Sequence, residues 1–202
     1  MPRGSGCAMS EDDRRRWDTR FAEDALLMGS APKPIVLAFD AALPHRGRAL
    51  EIACGEGQLA IWLARRGLQV TAVDISGVAL DKLRTLAAAE GIATRISVVE
   101  ADLDDGLPPL ATGLDLVTCI DFYSPPVIVQ ARELLAPGGM LLVQVLLQPA
   151  GGDSPHRAAP GEALAFAAGL RLHFYREGVF DGRALAQVFA QREPAAGVVC
   201  DG

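Results

Sequence analysis

Twenty residues, Arg48 to Gly67, commit the chain to a strand, a tight glycine turn and a helix in immediate succession: RALEIACGEGQLAIWLARRG. Ala49 to Ala53 is a short, mostly apolar run of the kind that forms a buried strand, and Leu59, Ile61, Trp62 and Leu63 recur with Ala60 and Ala64 at helical spacing. Cys54-Gly55-Glu56-Gly57 joins the two. Its glycines let the backbone turn sharply and leave no Cβ between it and a ligand, while the first helical turn offers unpaired N–H groups to the same space. Whatever binds there sits against bare backbone.

Glycine turns of this kind also bind dinucleotides: Gly55-x-Gly57-x-x-Ala60 satisfies that fingerprint, in which the helix N-terminus receives a pyrophosphate. Glu51 decides against it. It lies four positions before Gly55, inside a strand whose core positions ordinarily carry Val or Ile. A carboxylate there repels a pyrophosphate and attracts a cation, such as the α-ammonium and sulfonium of S-adenosylmethionine. A second acid, Asp74, closes the next apolar run, Val70 to Val73, nineteen residues after Gly55, where it can accept from both hydroxyls of a ribose. Hydrogen bonds to a charged acceptor are worth roughly 1.5–3 kcal/mol each. NAD-binding domains use the same position, so Asp74 supports a nucleoside without choosing between cofactors.

With Glu51, Gly55 and Gly57 in EIACGEG, the chain resembles the class I S-adenosylmethionine-dependent methyltransferases, whose first motif is an acid followed by a glycine-rich turn. The resemblance implies an α/β, Rossmann-like seven-stranded sheet, mostly parallel with a C-terminal antiparallel hairpin strand, helices on both faces and N-terminal lid helices. LLAPGG, Leu134 to Gly139, closely matches the L-x-P-G-G turn that precedes strand five of that fold. WDTRFAE from Trp17, followed by Gly29 and Pro34, resembles the N-terminal segment of the TehB-like (tellurite-resistance) and thiopurine-methyltransferase-like branches. There such a helix lids the cofactor, which would turn Trp17, Arg20 and Phe21 to the pocket and bring Arg20 to the cofactor carboxylate. The implied cofactor is S-adenosyl-L-methionine, with S-adenosyl-L-homocysteine as product. The implied contacts are Trp17, Arg20, Glu51, Ala53, Cys54, Gly55, Gly57, Asp74, Ile75, Ser76, Ala101, Asp102, Leu103, Cys119 and Phe122. Asp102 is preferred over Asp104 and Asp105 for the adenine amino group, because the family places an acid directly after the third strand.

The 202 residues, half of them apolar and 22% charged, suit one domain. They divide into a disordered tail (1–9), an N-terminal helical lid (10–45), a cofactor-binding core (46–150), an acceptor-side loop, helix and terminal hairpin (151–192) and a loose tail (193–202). Ser10 to Ala22 predicts a helix with Trp17 and Phe21 on one stripe, and Pro32 and Pro34 open a second that runs to Ala42. Later helices are expected from Val78 to Glu90, from Pro125-Pro126 to Leu135, and from Pro160. Strands are expected at Ile96–Val99, Leu114–Ile120 and Met140–Leu147, with a loop at Gly106–Gly113 too short for a crossover helix. Leu170–Glu177 and Arg183–Arg192 form the hairpin around Asp181-Gly182.

A net charge of −6 argues against a nucleic-acid partner, which needs clustered Lys and Arg; Arg14 to Arg16 directly follow the acids Glu11 to Asp13. Ser124-Pro125-Pro126-Val127 compares with a motif of amino-directed DNA methyltransferases but has valine where the stacking aromatic belongs. Cysteines 7, 54, 119 and 200 show neither CxxC nor metal-ligand spacing, so no disulfide framework and no metal are expected, and the reducing cytoplasm is the expected location. No apolar run reaches the roughly 18 residues that span a bilayer. The expected partner is a small-molecule acceptor, met by a monomer or homodimer.

Methyl transfer from a sulfonium is an in-line displacement that needs alignment and removal of water, with no covalent enzyme intermediate. Ligands of open parallel sheets sit off the carboxyl ends of the strands, which puts Cys119, Phe122 and Tyr123 on the reaction side. Candidates for removing an acceptor proton are Tyr123, His156, Tyr175 and Asp121, and Arg157 or Arg176 could steer an anion. A soft chalcogen compound or thiol, such as tellurite, selenite or a thiopurine, needs no base. Two other readings stay open: a non-catalytic S-adenosylmethionine-binding sensor, and a NAD(P)-linked oxidoreductase, which Glu51 and the terminal hairpin oppose. Asp74→Ala is expected to abolish cofactor binding and leave the fold intact.

Overall fold

The computed structural model describes residues 6–23, 25–27, 29, 31–149 and 152–195. Its strands are β1 Arg48–Ile52, β2 Gln69–Asp74, β3 Ile96–Glu100, β4 Leu114–Ile120, β5 Leu135–Leu146, β6 Arg171–Phe180 and β7 Arg183–Gln191. The helices are α1 Gly6–Phe21, α2 Pro34–Ala38, α3 Gln58–Arg66, α4 Gly77–Ala89 and α5 Pro125–Glu133. All seven strands join one sheet in the order β3-β2-β1-β4-β5-β7-β6, parallel except that β7 runs antiparallel to both β5 and β6. The expected sheet and its terminal hairpin are therefore present. Strand order reverses between β1 and β4, so the carboxyl ends of these two strands open on a common crevice.

Successive strand residues point to opposite faces, and each face has its own core. Leu50, Ile52, Val117 and Leu141 pack with Val127, Ile128 and Ala131 of α5. Ala49, Val70, Ala72 and Leu116 pack with Leu63 of α3 and Leu80 and Leu83 of α4. Helix α3 ends on Gly67 at φ 112, whose N–H caps the Ala64 carbonyl.

Several boundaries differ from the sequence reading. Helix α1 starts at Gly6, inside the stretch expected as a tail; the rest of that tail, and residues 196–202 of the C-terminal one, lie outside the described residues. Helix α2 stops at Ala38 and a 3-10 turn, Asp40–Ala42, completes the predicted span. The helix expected from Pro160 is a 3-10 helix, Glu162–Ala167. Ala136 to Gly139 falls within β5 as an irregular insertion with Gly138 at φ 82: Leu135 pairs with Leu114, and regular pairing with β4 runs from Met140, where the strand was expected to begin. A Cβ on Gly139 would stand 2.4 Å from the Leu114 carbonyl oxygen, so this glycine lets the two backbones close at the irregular end of the pair.

Gly57 serves the packing of two helices. It caps α3 at φ 77, and a Cβ there would lie 2.3 Å from Cδ1 of the fully buried Leu83. Gly57→Ala should cost about 2–4 kcal/mol, from the left-handed backbone and the overpacking together. A second change, Leu83→Ala, should relieve only the collision; thermal denaturation of the single and double variants checks this.

Candidate cofactor site

The turn after β1 is held in its shape by Asp74 at the end of β2. Asp74 Oδ2 accepts from the Gly55 N–H at 2.7 Å and Oδ1 from the Ser76 N–H at 2.9 Å. One carboxylate thus ties two neighbouring strand ends, while Ala53, Gly55 and Gly57 take positive φ of 52, 54 and 77. Burial raises the Asp74 pKa; the amides of Ser76, Gly55 and Ile75 pull the other way.

Beneath this turn lies Glu51, 6% exposed. Burial pushes its pKa up to about 8, with the Ala60 amide opposing and the charge of Asp74 adding. Its Oε2 is buried and has no hydrogen-bond partner among the described residues. The same holds for Oδ2 of Asp102, whose Oδ1 accepts from the Asp104 N–H at 2.9 Å. Both carboxyls line a single cavity with Trp17, Phe21, Ala53, Cys54, Gly55, Asp74, Ile75, Leu103 and Phe122. A buried acceptor left without a donor costs about 1–3 kcal/mol or more when charged, so two of them on one cavity wall define a place for a ligand with donors.

Helix α1 is pinned at its C-terminal end. Trp17 and Phe21 stack with centroids 5.6 Å apart, and Phe21 is buried against the turn, its Cζ 3.4 Å from where a Cβ on Gly55 would be. Asp18 accepts from Ser76 Oγ at 2.6 Å, and Lys82 Nζ donates to the Glu23 carbonyl, so α1 is fastened to the start of α4. Lys82 also bridges to the buried Glu56 at 2.9 Å, within the glycine turn.

Five of the predicted contacts are not on the cavity wall. Arg20 is exposed, its guanidinium 4.9 Å from the centre of the Trp17 ring, because the i, i+4 pair Trp17 and Phe21 takes the inner face of α1. Gly57 faces Leu83. Ser76 caps α4, accepting from the Ala79 N–H at 3.2 Å. Ala101 donates its N–H to the Asp74 carbonyl at 2.9 Å. Cys119 is fully buried under the crevice, its thiol donating to the Phe122 carbonyl at 3.3 Å and raised in pKa by burial and then by Asp121. Cys54 does reach the wall, but burial and the charges of Glu51 and Asp74 raise its pKa well above the usual thiol value.

The proton-removing candidates stand apart from the wall, Asp121 excepted. Tyr123 donates to Glu162, and burial together with that carboxylate pushes its pKa up. Tyr175 donates to Glu177 at 2.6 Å and is pushed up to about 12 by burial and then by Glu177. His156 is exposed, Arg157 donates to the Leu147 carbonyl at 3.2 Å, and Arg176 lines a different cavity. Residues that sequence reasoning missed on the wall include Gln58 and Leu59, which the rule placing a ligand at a helix start would have found, and Lys33 and Val36, which carry no sequence signal. Among the described residues no three His, Cys, Asp or Glu side chains are grouped to hold a metal, and no helix is long and apolar enough to cross a membrane.

Sheet order and glycine turn give the chain the fold of the class I S-adenosylmethionine-dependent methyltransferases. Residues 49–139 match the family model of a methyltransferase domain. The chain is 31% identical over 103 residues to the tRNA 5-carboxymethoxyuridine methyltransferase of Escherichia coli K12, covering 48% of this chain and 40% of that protein. It is 32% identical over 141 residues to a ubiquinone biosynthesis O-methyltransferase of Xanthomonas axonopodis pv. citri, covering 65% and 56%. The chain thus spans about half the length of these curated relatives. Its fold is similar to that of TehB from Haemophilus influenzae, with TM-score 0.67, 17% identity and coverage of 89% and 67%. It is also similar to the [4+2]-cyclase SpnF, with TM-score 0.70, 18% identity and coverage of 92% and 97%.

Proposed function

We propose that the protein transfers the methyl group of S-adenosylmethionine to a small-molecule acceptor. The observation that carries this reading is the buried Oε2 of Glu51, without a partner among the described residues, on a cavity wall formed by a bare-backbone turn. An α-ammonium satisfies it; a pyrophosphate would face Glu51, Asp74 and Asp102 together, which disfavours a dinucleotide. In this reading Glu51 holds the ammonium, the remaining lone pairs of Asp74 accept from ribose hydroxyls, and Oδ2 of Asp102 accepts from the adenine amino group. Trp17 and Phe21 close the cavity and exclude water. When bound, the sulfonium supplies the driving force for displacement.

A small acceptor is supported by the net charge of −6, which offers no general grip on nucleic acid, and by the quinone-pathway relative. Within that class the wall favours a soft nucleophile, a thiol, a thiopurine, or a selenium or tellurium oxyanion, as the TehB-like resemblance implies. Of the bases considered for the acceptor, Tyr123 and Tyr175 are tied to glutamates and stand off the wall, as does His156, and Asp121 is paired with Arg183 at 3.0 Å.

The test is transfer of labelled methyl groups from S-adenosylmethionine to thiols, thiopurines, selenite, tellurite, phenols and unmodified tRNA, with S-adenosylhomocysteine formation followed in parallel. Turnover on a small molecule is expected. Tight S-adenosylhomocysteine binding without turnover on any acceptor would favour a sensor, turnover on tRNA alone would overturn the small-acceptor reading, and stabilisation by NADH alone would overturn the cofactor.

A further inference from the structure

A second cavity adjoins the first, its wall drawn from α2, β5, β6 and β7, and Lys33 lines both. Three cations face it, Lys33, Arg176 and Arg183, together with Phe39, Phe174 and Phe180. The acids nearby are Asp181, exposed at the hairpin turn, and Asp121, whose Oδ2 is shared between Arg183 at 3.0 Å and Lys33 at 3.8 Å. The cations therefore outnumber the carboxylates there, in a chain whose net charge is −6.

Arg176 is prepositioned. Its guanidinium carbon lies 3.8 Å from the centre of the Phe180 ring and 5.6 Å from that of Phe174, and Nη2 donates to Gln187 Oε1 at 2.9 Å. Gln187 Nε2 donates to Gln144 Oε1 at 2.7 Å, and Gln144 Nε2 donates to Asp121 Oδ1 at 2.8 Å. These glutamines are 3% and 5% exposed and face each other across β5 and β7. Apolar side chains would fill such central strand positions without the cost of burying an amide. What the pair achieves is to hold a carboxylate at the first cavity and a guanidinium at the second. Asp121 itself sits at φ 63, a strained backbone for a non-glycine residue that the ladder helps to hold.

We propose that the second cavity is the acceptor site and that it takes an organic anion. Arg176 and Arg183 receive a carboxylate or phosphate head, and a flat apolar body lies against Phe39, Phe174 and Phe180. The guanidinium fork suits either oxyanion. The assignment of the bound anion as acceptor rests on the methyl-transfer reading; the anion site itself does not.

The test is ligand-observed NMR titration of the full chain, with and without S-adenosylhomocysteine, using three matched pairs: benzoate and benzamide, 2-naphthoate and 2-naphthamide, phenyl phosphate and phenol. Anions should bind saturably, their neutral partners at least about tenfold more weakly. Arg176→Gln should reduce anion binding about tenfold and leave S-adenosylhomocysteine binding unchanged. Absence of binding by every anion, equal binding of the neutral partners, or full anion affinity in Arg176→Gln would overturn the proposal. Anion binding without S-adenosylhomocysteine binding would sink the cofactor reading and leave the anion site standing. A bound anion that does not inhibit turnover of an active acceptor would overturn its assignment to the reaction.

Discussion

Glu51→Gln is expected to raise the melting temperature of the ligand-free protein at pH 8 and to weaken S-adenosylmethionine binding about 10- to 150-fold. Both effects come from one buried carboxyl. In the fold its pKa is about 8, against an ordinary value of 4.5, because burial disfavours the ion. Between these values the unfolded chain has lost the proton that the folded chain keeps. Stability therefore falls as pH rises from about 4.5 to about 8 and is level above, and the accumulated loss is on the order of a few kcal/mol. Glutamine removes that loss, so its stabilising effect should be near zero at pH 4.5 and greatest at pH 8. It also removes the negative charge that meets the ammonium, a charged hydrogen bond whose loss corresponds to roughly 1.5–3 kcal/mol. Thermal denaturation across pH and calorimetric binding measure the two effects separately. A variant that is less stable at pH 8, or that binds with unchanged affinity, contradicts the role given to Glu51.

Asp74 is expected to behave differently, because both of its oxygens already accept from backbone N–H groups of Gly55 and Ser76. Asp74→Ala strands both donors in a buried turn, so it should destabilise the protein by about 2–4 kcal/mol as well as abolish binding. The sequence-based expectation that this variant keeps its fold intact is thus replaced. Asp74→Asn is the cleaner probe. Its amide can satisfy one donor but turns an NH2 toward the other, so stability should fall by about 1–2 kcal/mol and S-adenosylhomocysteine affinity by about 30-fold or more. Thermal melts and calorimetry on the same samples separate loss of fold from loss of site. Unchanged affinity in Asp74→Asn would refute the ribose assignment.

What was legible in the sequence was local in the chain or tied to one strand end. Glu51, Gly55 and Asp74 work through a turn and its neighbouring strand, so their spacing survives folding almost unaltered, and all three reach the cavity. Asp102 directly follows the third strand and reaches it for the same reason. Arg20 lies off the wall, because helical spacing alone does not say which neighbour of Trp17 and Phe21 faces inward. Gly57 looked like room for a ligand, but the space beside it belongs to Leu83, a contact between two helices that only packing reveals. The ladder from Asp121 through Gln144 and Gln187 to Arg176 had no sequence signal, since it depends on the pairing of β5 with β7, which joins residues 43 apart.

If a buried carboxyl beside the glycine turn holds the cation of the cofactor, protons must leave the protein when the cofactor binds. The measurement is calorimetric titration of the ligand-free protein with S-adenosylmethionine at pH 7, repeated in buffers of different ionisation enthalpy. A carboxyl of pKa about 8 is mostly protonated at pH 7 and must ionise to meet an ammonium, so binding should release most of one proton. In Glu51→Gln any residual binding should release none. Tight binding to the native chain with no proton released, or the same release from the variant, would contradict the account.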